Sequence, residues 1–166
     1  MKTNRLISFS VDEQSKTINI ERVFSSPLPK VWASWTECQL LDQWWAPNPW
    51  RVETQKMSFK PGGTWLYAMI GPKGEKQWSR LDFESVGDLN SFSGKEAFTD
   101  ENGDVNHSLP QSFWTVQFTP YGESTLVTID IEYENPSDLQ TSIQMGFQEG
   151  FTAAMENLDG FLLDQV

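Results

Sequence analysis

The sequence has very few of the residues that form disulfides, metal sites and nucleophilic centres. Its 166 residues include one cysteine, Cys38, and one histidine, His107. A single cysteine excludes an intramolecular disulfide, which is typical of a reducing compartment, so we expect a cytoplasmic location. A metal site rich in His or Cys is excluded by number, and His107 lies in a polar stretch where solvation is expected. We therefore predict no metal, no cofactor and no specific catalytic residue.

Basic residues and long apolar runs are also scarce. Twelve Lys and Arg against 23 Asp and Glu give a formal charge of −11. Binding to nucleic acid or to an anionic membrane surface needs clustered positive charge, so we expect neither partner. No run approaches the roughly 18 apolar residues of a membrane-spanning helix. Eight Trp and eleven Phe instead predict a large core, in one domain over residues 1–166. Residues 1–16 are either an extra strand or a flexible arm.

The last part of the chain predicts one long helix over Ser137–Asp164. The stretch lacks proline, and Ser137 or Asp138 can cap its first N–H groups. A helix of roughly 26 residues would be about 40 Å long. Polar residues on the opposite side, including Asp159, are expected to face water. Apolar residues recur at steps of three and four: Ile143, Phe147, Phe151, Ala154, Met155, Leu158 and Leu162.

Short alternating segments upstream predict strands that form a sheet beneath this helix. Two short helices, one around Val31–Trp35 and one over 37–45, interrupt the strands. Strands followed by a helix define an α+β domain. The predicted strands cover residues 6–11, 17–24, 50–59, 64–70, 77–86, 92–98, 113–118 and 126–133.

Several short motifs, spread over residues 17–163, occur in the order seen in a known family. They are Pro27–Trp32, Trp44–Pro47, Pro61–Gly63 with Trp65, Phe98–Gly103, Thr125–Ile129, and Gly146-Phe147 through Leu158. Together they resemble the SRPBCC (START/Bet v 1-like) superfamily, in the branch named for the activator of heat-shock-protein-90 ATPase. Phe147 stands where that family usually has Trp, which changes the shape of a pocket rather than the fold.

The resemblance implies a helix-grip fold. In that fold a curved antiparallel sheet wraps around a long C-terminal helix, two short helices follow the first strands, and a cavity lies between sheet and helix. The family is mostly bacterial and mostly without a settled activity. One branch stimulates a chaperone, and distant relatives bind lipids or hormones or cyclise polyketides.

Side chains that can point between sheet and helix are the candidate ligand-binding residues. A filled core is the alternative interpretation of the same set. Glu96 shares strand parity with Phe98, so on the inner face its pKa would be raised by burial, and Arg80 is a candidate partner. The set is Trp45, Trp65, Tyr67, Met69, Phe83, Glu96, Phe98, Phe118, Phe147, Phe151 and Met155.

Three functions are compatible with these residues. The first is binding of a small hydrophobic molecule in an aromatic-lined cavity, without catalysis. The second is a chaperone-regulating or other protein-interaction module, which would use the acidic surface or the Trp-rich loop Trp44–Trp50 if that loop is exposed. The third is a cyclase- or hydrolase-type enzyme using Glu96 and Tyr67. A cavity above about 300 Å³ would favour the first or the third. Either a monomer or a homodimer is expected.

Overall fold

One curved, antiparallel sheet of eight strands forms the body of the protein. The computed structural model describes residues 7–164, and the strand order across the sheet is β1-β2-β8-β7-β6-β5-β4-β3. Leu6, the first residue of the first predicted strand, lies outside the described residues. The strands are β1 (Ile7–Asp12), β2 (Thr17–Phe24), β3 (Arg51–Met57), β4 (Thr64–Ile70), β5 (Lys76–Gly87), β6 (Ser91–Thr99), β7 (Gln111–Tyr121) and β8 (Ser124–Tyr133).

Four helices complete the fold of the described residues. The two short ones, α1 (Leu28–Thr36) and α2 (Cys38–Trp44), carry the chain from β2 near one edge of the sheet to β3 at the other edge. The C-terminal pair, α3 (Pro136–Gln144) and α4 (Phe147–Leu163), follows β8. This arrangement confirms the predicted α+β helix-grip fold.

The prediction of one continuous C-terminal helix is wrong, because the chain turns at Gly146. This residue has φ +90°, a left-handed conformation that only glycine adopts readily, and it separates α3 from α4. The predicted cap is also wrong. The side chain of Asn135, rather than Ser137 or Asp138, accepts a hydrogen bond from the Asp138 N–H at 2.8 Å. The helix that the sheet holds is therefore α4, which has 17 residues.

The inner face of α4 packs on the sheet through an apolar stripe that includes Met155 and Leu158. Asp159, predicted to face water, instead pairs with Arg22 on β2. Arg22 is only 4% exposed, and a buried positive charge needs an opposite charge beside it. The Asp159 carboxylate provides that charge beneath the helix. An ion pair across the core was hidden from the sequence because Arg22 and Asp159 are 137 positions apart.

Strand irregularities bend the sheet around the helix. The register between β5 and β6 shifts between Phe83 and Ser85, and a bulge of this kind bends and twists a strand. Gly94 on β6 lies opposite the shift, where an added Cβ would be 2.4 Å from the Asp82 carbonyl oxygen. Close backbone approach therefore requires glycine at this position.

Candidate functional site: a cavity between the sheet and the C-terminal helices

Aromatic side chains fill almost all of one end of the space under the helices. The Trp32 ring from α1 makes edge contacts with Phe118 at 5.0 Å and Phe59 at 5.8 Å between centroids. Phe59 in turn contacts Phe83 at 4.9 Å and Phe92 at 5.7 Å. Edge-to-face packing of this kind leaves little empty volume, so this end is a conventional core.

The other end of the same space is not filled. A cavity of about 270 Å³ lies between β4–β8 and the C-terminal helices. It reaches solvent near Gln77 and Met145, which are exposed members of its wall. Small residues explain why volume remains here: Gly146, Gly150 and Ala154 on the helical side contribute almost no side-chain bulk.

The structure brings together most, but not all, of the predicted ligand-binding residues. Four are part of the packed core instead: Trp65 and Phe83 line only a separate space of about 20 Å³, and Phe118 and Met155 are buried at 3% and 2% exposure. Seven line the larger cavity: Trp45, Tyr67, Met69, Glu96, Phe98, Phe147 and Phe151. Their role in binding stays a prediction.

The aromatic wall is a continuous set of rings. Trp45 lies 6.1 Å from both Trp114 and Phe151, measured between centroids. Phe147 stacks on Phe151 at 5.3 Å with an interplanar angle of 19°. Trp45 and Trp114 each donate a hydrogen bond into the protein, so both indoles are held in fixed orientations. The cavity is therefore bounded by rigid, flat apolar surfaces.

A short hydrogen-bonded chain crosses the wall and ends at Glu96. The Trp45 indole N–H donates to the Tyr67 hydroxyl at 3.0 Å, and that hydroxyl donates to Glu96 Oε2 at 2.9 Å. Glu96 Oε1 is buried and has no hydrogen-bond partner among residues 7–164. Half of the carboxyl group is thus satisfied by the protein and half is not.

Burial in this apolar region raises the pKa of Glu96 from 4.5 to about 8. The hydrogen bond from Tyr67 lowers the pKa and the charge of Asp82 raises it further, but both effects are smaller than loss of hydration. Burial also raises the pKa of Tyr67 well above its ordinary value, so this hydroxyl stays protonated. At neutral pH the pair is mostly an uncharged acid beside an uncharged phenol.

The proposed partnership of Arg80 with Glu96 is wrong. Arg80 pairs with Asp82 at 3.0 Å and donates to the Gly103 carbonyl oxygen at 2.7 Å. Because successive residues of a strand point to opposite faces, Arg80 and Asp82 lie on the outer face of β5, away from the cavity.

Sequence reasoning missed several wall residues. Trp114 lies inside the predicted strand 113–118 and shares the alternation of Val116 and Phe118, so strand parity alone would have found it. Tyr133 continues the parity of Ile131 at the end of β8, and burial raises the pKa of its hydroxyl. The serines Ser79, Ser112 and Ser142 gave no such signal, because serine is equally common on outward faces and in turns.

The described residues contain neither a metal-binding cluster nor a membrane-spanning helix. Within residues 7–164, no three His, Cys, Asp or Glu side chains come close enough together to hold a metal ion. No helix in this range is long and apolar enough to cross a membrane. Cys38 is half-buried on α2, and His107 is exposed in the loop before β7.

A curved sheet that holds a C-terminal helix over a partly open cavity defines a helix-grip protein. The sequence matches the family described as Activator of Hsp90 ATPase homolog 1-like protein over residues 25–162. The chain belongs to this family, as its motifs predicted. No functionally curated protein matches the sequence.

Solved structures of bacterial proteins share the fold along almost the whole chain. A protein of Mycobacterium smegmatis is 25% identical with a TM-score of 0.88, covering 97% of this chain and 100% of that one. A protein of Arthrobacter aurescens is 28% identical with a TM-score of 0.90, covering 95% and 91%. A Silicibacter pomeroyi protein titled as AHSA1 is 19% identical with a TM-score of 0.72, covering 90% and 99%, a likeness of fold alone.

Proposed function

We propose that this protein binds a small hydrophobic molecule in the aromatic-lined cavity. The observation that carries the proposal is the contrast between the two ends of the space under the helices. Aromatic rings fill one end, whereas about 270 Å³ stays empty at the other. Sites for small molecules are concave, mostly apolar and roughly 300–1,000 Å³ in volume. At about 270 Å³ this cavity lies just below that range and below the volume of about 300 Å³ expected from the sequence, so it suits only a small ligand of one or two rings.

The wall also has the composition of a binding site. Rigid rings such as Trp45 and Phe151 supply apolar contact, and a few polar groups, Tyr67 and Glu96 among them, interrupt the apolar surface. A small number of fixed polar groups in an apolar cleft is what orients a bound molecule.

A neutral fluorescent dye with two fused rings, the naphthalene derivative prodan, tests the proposal. We expect its emission to rise and saturate on titration with the protein. Gly150→Leu places a side chain at the cavity wall, and a Cβ at this position has only ordinary contact, 3.9 Å from Pro47 Cγ. This variant should bind the dye at least about tenfold more weakly, because lost apolar contact of about 1.4 kcal/mol is a factor of ten.

Gly160→Leu is the matched control, since it makes the same substitution in α4 at an exposed position where an added Cβ meets nothing within 4 Å. It should bind the dye like the parent protein. Equal binding by all three proteins, or none by the parent, would overturn the proposal. Native mass spectrometry of protein purified from its own host would then identify a co-purifying ligand.

The protein-interaction alternative has less support. Trp44 is 1% exposed and Trp45 packs into the cavity wall, so the Trp-rich loop offers no apolar surface for docking through these two rings. The acidic surface is compatible with solubility as well as with a basic partner. Cytoplasmic location and a monomeric or homodimeric state stay predictions from the sequence.

An enzyme is the second candidate function, favoured by one observation. The pKa of Glu96 near 8 suits proton transfer at neutral pH, and Tyr67 is hydrogen-bonded to it. However, the described wall residues include no Lys, Arg or His that could stabilise a developing negative charge. Binding without turnover is therefore the function that we propose first.

A further inference from the structure

Among residues 7–164, Glu96 is the one Asp, Glu, Lys, Arg or His side chain on the wall of the cavity. No Lys, Arg or His among these wall residues balances it. The Tyr67 hydroxyl donates a hydrogen bond to Oε2, but the buried Oε1 has no partner in the described part of the chain. A buried carboxyl group without a cation is costly, so a positive charge supplied from outside would be stabilised here.

The rings around Glu96 favour the same kind of ligand. Trp45, Trp114, Phe147 and Phe151 enclose one side of the cavity with centroid separations of 5.3–6.1 Å. The face of an aromatic ring is negative and attracts an ammonium group within about 6 Å. The net charge of −11 adds a long-range attraction for cations and a repulsion for anions.

We propose that the ligand of this cavity is an apolar compound with a protonated amine, which pairs with the Glu96 carboxylate and contacts the surrounding rings. Carboxylates of the same shape are excluded. This inference rests on the proposed function and adds the charge of the ligand to it.

Protonation of Glu96 makes the binding of an amine depend on pH. The titratable groups around Glu96 are Tyr67 on β4, Asp82 on the outer face of β5 and Tyr133 on β8. The described wall residues Trp45 and Pro47, which follow α2, and those of α3, α4 and β7 carry no titratable side chain. Both tyrosines have pKa values raised by burial and stay neutral, so only Glu96 changes charge at the cavity near neutral pH.

The expected change follows from the ionised fraction. With a pKa of about 8, Glu96 is ionised to about a tenth at pH 7 and about nine-tenths at pH 9. An alkylammonium group has a pKa near 10.4 and stays charged over this range. Since an amine pairs with the ionised form, its affinity should rise about tenfold from pH 7 to pH 9.

Three indole compounds of similar shape and different charge test the proposal by calorimetry: tryptamine (cationic), tryptophol (neutral) and indole-3-propionate (anionic). At about pH 9, tryptamine should bind at least about tenfold more tightly than tryptophol, and indole-3-propionate should bind most weakly. The tenfold rise with pH should be seen for tryptamine alone.

Two variants show whether tryptamine is attracted by the Glu96 carboxylate in the cavity or by the acidic surface of the protein. Glu96→Gln keeps the shape and removes the charge, so tryptamine should lose its advantage over tryptophol and its pH dependence. Glu84→Gln removes one charge from an exposed position on β5, so it should change neither the preference for tryptamine over tryptophol nor the pH dependence of tryptamine binding. Tryptamine binding should also weaken in Gly150→Leu.

The outcomes distinguish this inference from the proposed function. If the neutral dye binds but tryptamine binds no better than tryptophol, the amine preference is overturned and the hydrophobic cavity stands. If tryptamine binds equally to the parent and to Glu96→Gln, the attraction is to the surface and the inference is again overturned. If neither the dye nor any indole compound binds, both proposals are wrong.

Discussion

Replacing Glu96 with Gln should make the protein more stable, and increasingly so as pH rises. The substitution keeps the size of the side chain, and the amide oxygen can still accept the hydrogen bond that the Tyr67 hydroxyl donates to Glu96 at 2.9 Å. What it removes is ionisation. The comparison of the two proteins therefore isolates the contribution of one buried carboxyl group to the free energy of unfolding.

The sign follows from where the proton is bound. Glu96 has a pKa of about 8 in the folded protein and an ordinary value of 4.5 when unfolded. Between these values the folded state holds a proton that the unfolded state has released, so stability falls as pH rises through this window. Below about pH 4.5 both states are protonated, and above about pH 8 the full loss has accumulated.

The magnitude follows from the same two values. Each pKa unit corresponds to about 1.4 kcal/mol, so raising the pKa from 4.5 to about 8 amounts to on the order of 5 kcal/mol. That is a large part of the roughly 5–15 kcal/mol that stabilises a typical domain. Partial entry of water into the cavity reduces it, and a difference of about 2 kcal/mol or more at high pH is the expected result.

Urea unfolding followed by tryptophan fluorescence, at intervals from about pH 5 to about pH 9, measures this difference. The excess stability of Glu96→Gln should be small at the acidic end and grow to its maximum above pH 8, while Glu84→Gln, at an exposed position, should follow the parent protein. An excess that stays constant across this range would refute the reasoning, because it would mean that Glu96 titrates alike in both states.

Two further predictions concern the C-terminal helices. Gly146→Ala should destabilise the protein by about 1–2 kcal/mol in the same urea assay, since a φ of +90° is strained for any residue with a Cβ. Gly160→Ala should instead stabilise it by up to about 1 kcal/mol, because Gly160 is exposed within α4 and alanine favours a helix more than glycine does. Asp159→Asn should lower the free energy of unfolding by about 3 kcal/mol or more, because it leaves the Arg22 charge unpaired at 5% side-chain exposure. Arg22→Met should lower it by less, because the Asp159 side chain is 21% exposed and can be hydrated. Combining the two should cost less than their sum, and strict additivity would show that the ion pair does not couple β2 to α4.

Local sequence patterns were sufficient for the elements of the fold. β4 was predicted with its observed bounds, Thr64–Ile70, because alternating apolar residues lie between two turn signals. The helix-grip arrangement followed from motifs in family order. The break at Gly146 was missed because glycine also occurs inside helices, and the sequence does not show the sign of φ.

Part of the candidate site was also accessible from the sequence. Strand parity placed Tyr67, Glu96 and Phe98 on one face, and they do line one cavity. Strand parity shows which face of the sheet a side chain occupies, but not whether that part of the face is covered by the core or by the cavity. The sequence therefore could not show that Trp65 and Phe83 belong to the core whereas Tyr67 lines the cavity. The partners of Glu96 and Arg22 were likewise hidden, because contacts across a sheet and a helix join residues far apart in the chain.

The sequence by itself thus determined the class of fold, the acidic charge, and the exclusion of disulfide and His- or Cys-rich metal chemistry, because these depend on composition and local periodicity. Tertiary structure alone decided which aromatic residues fill the core and which enclose an empty volume. It also decided that, among the described residues, no Lys, Arg or His side chain accompanies Glu96 on the wall of that volume. These properties depend on packing density and on distances between remote residues, and both exist only once the chain has folded.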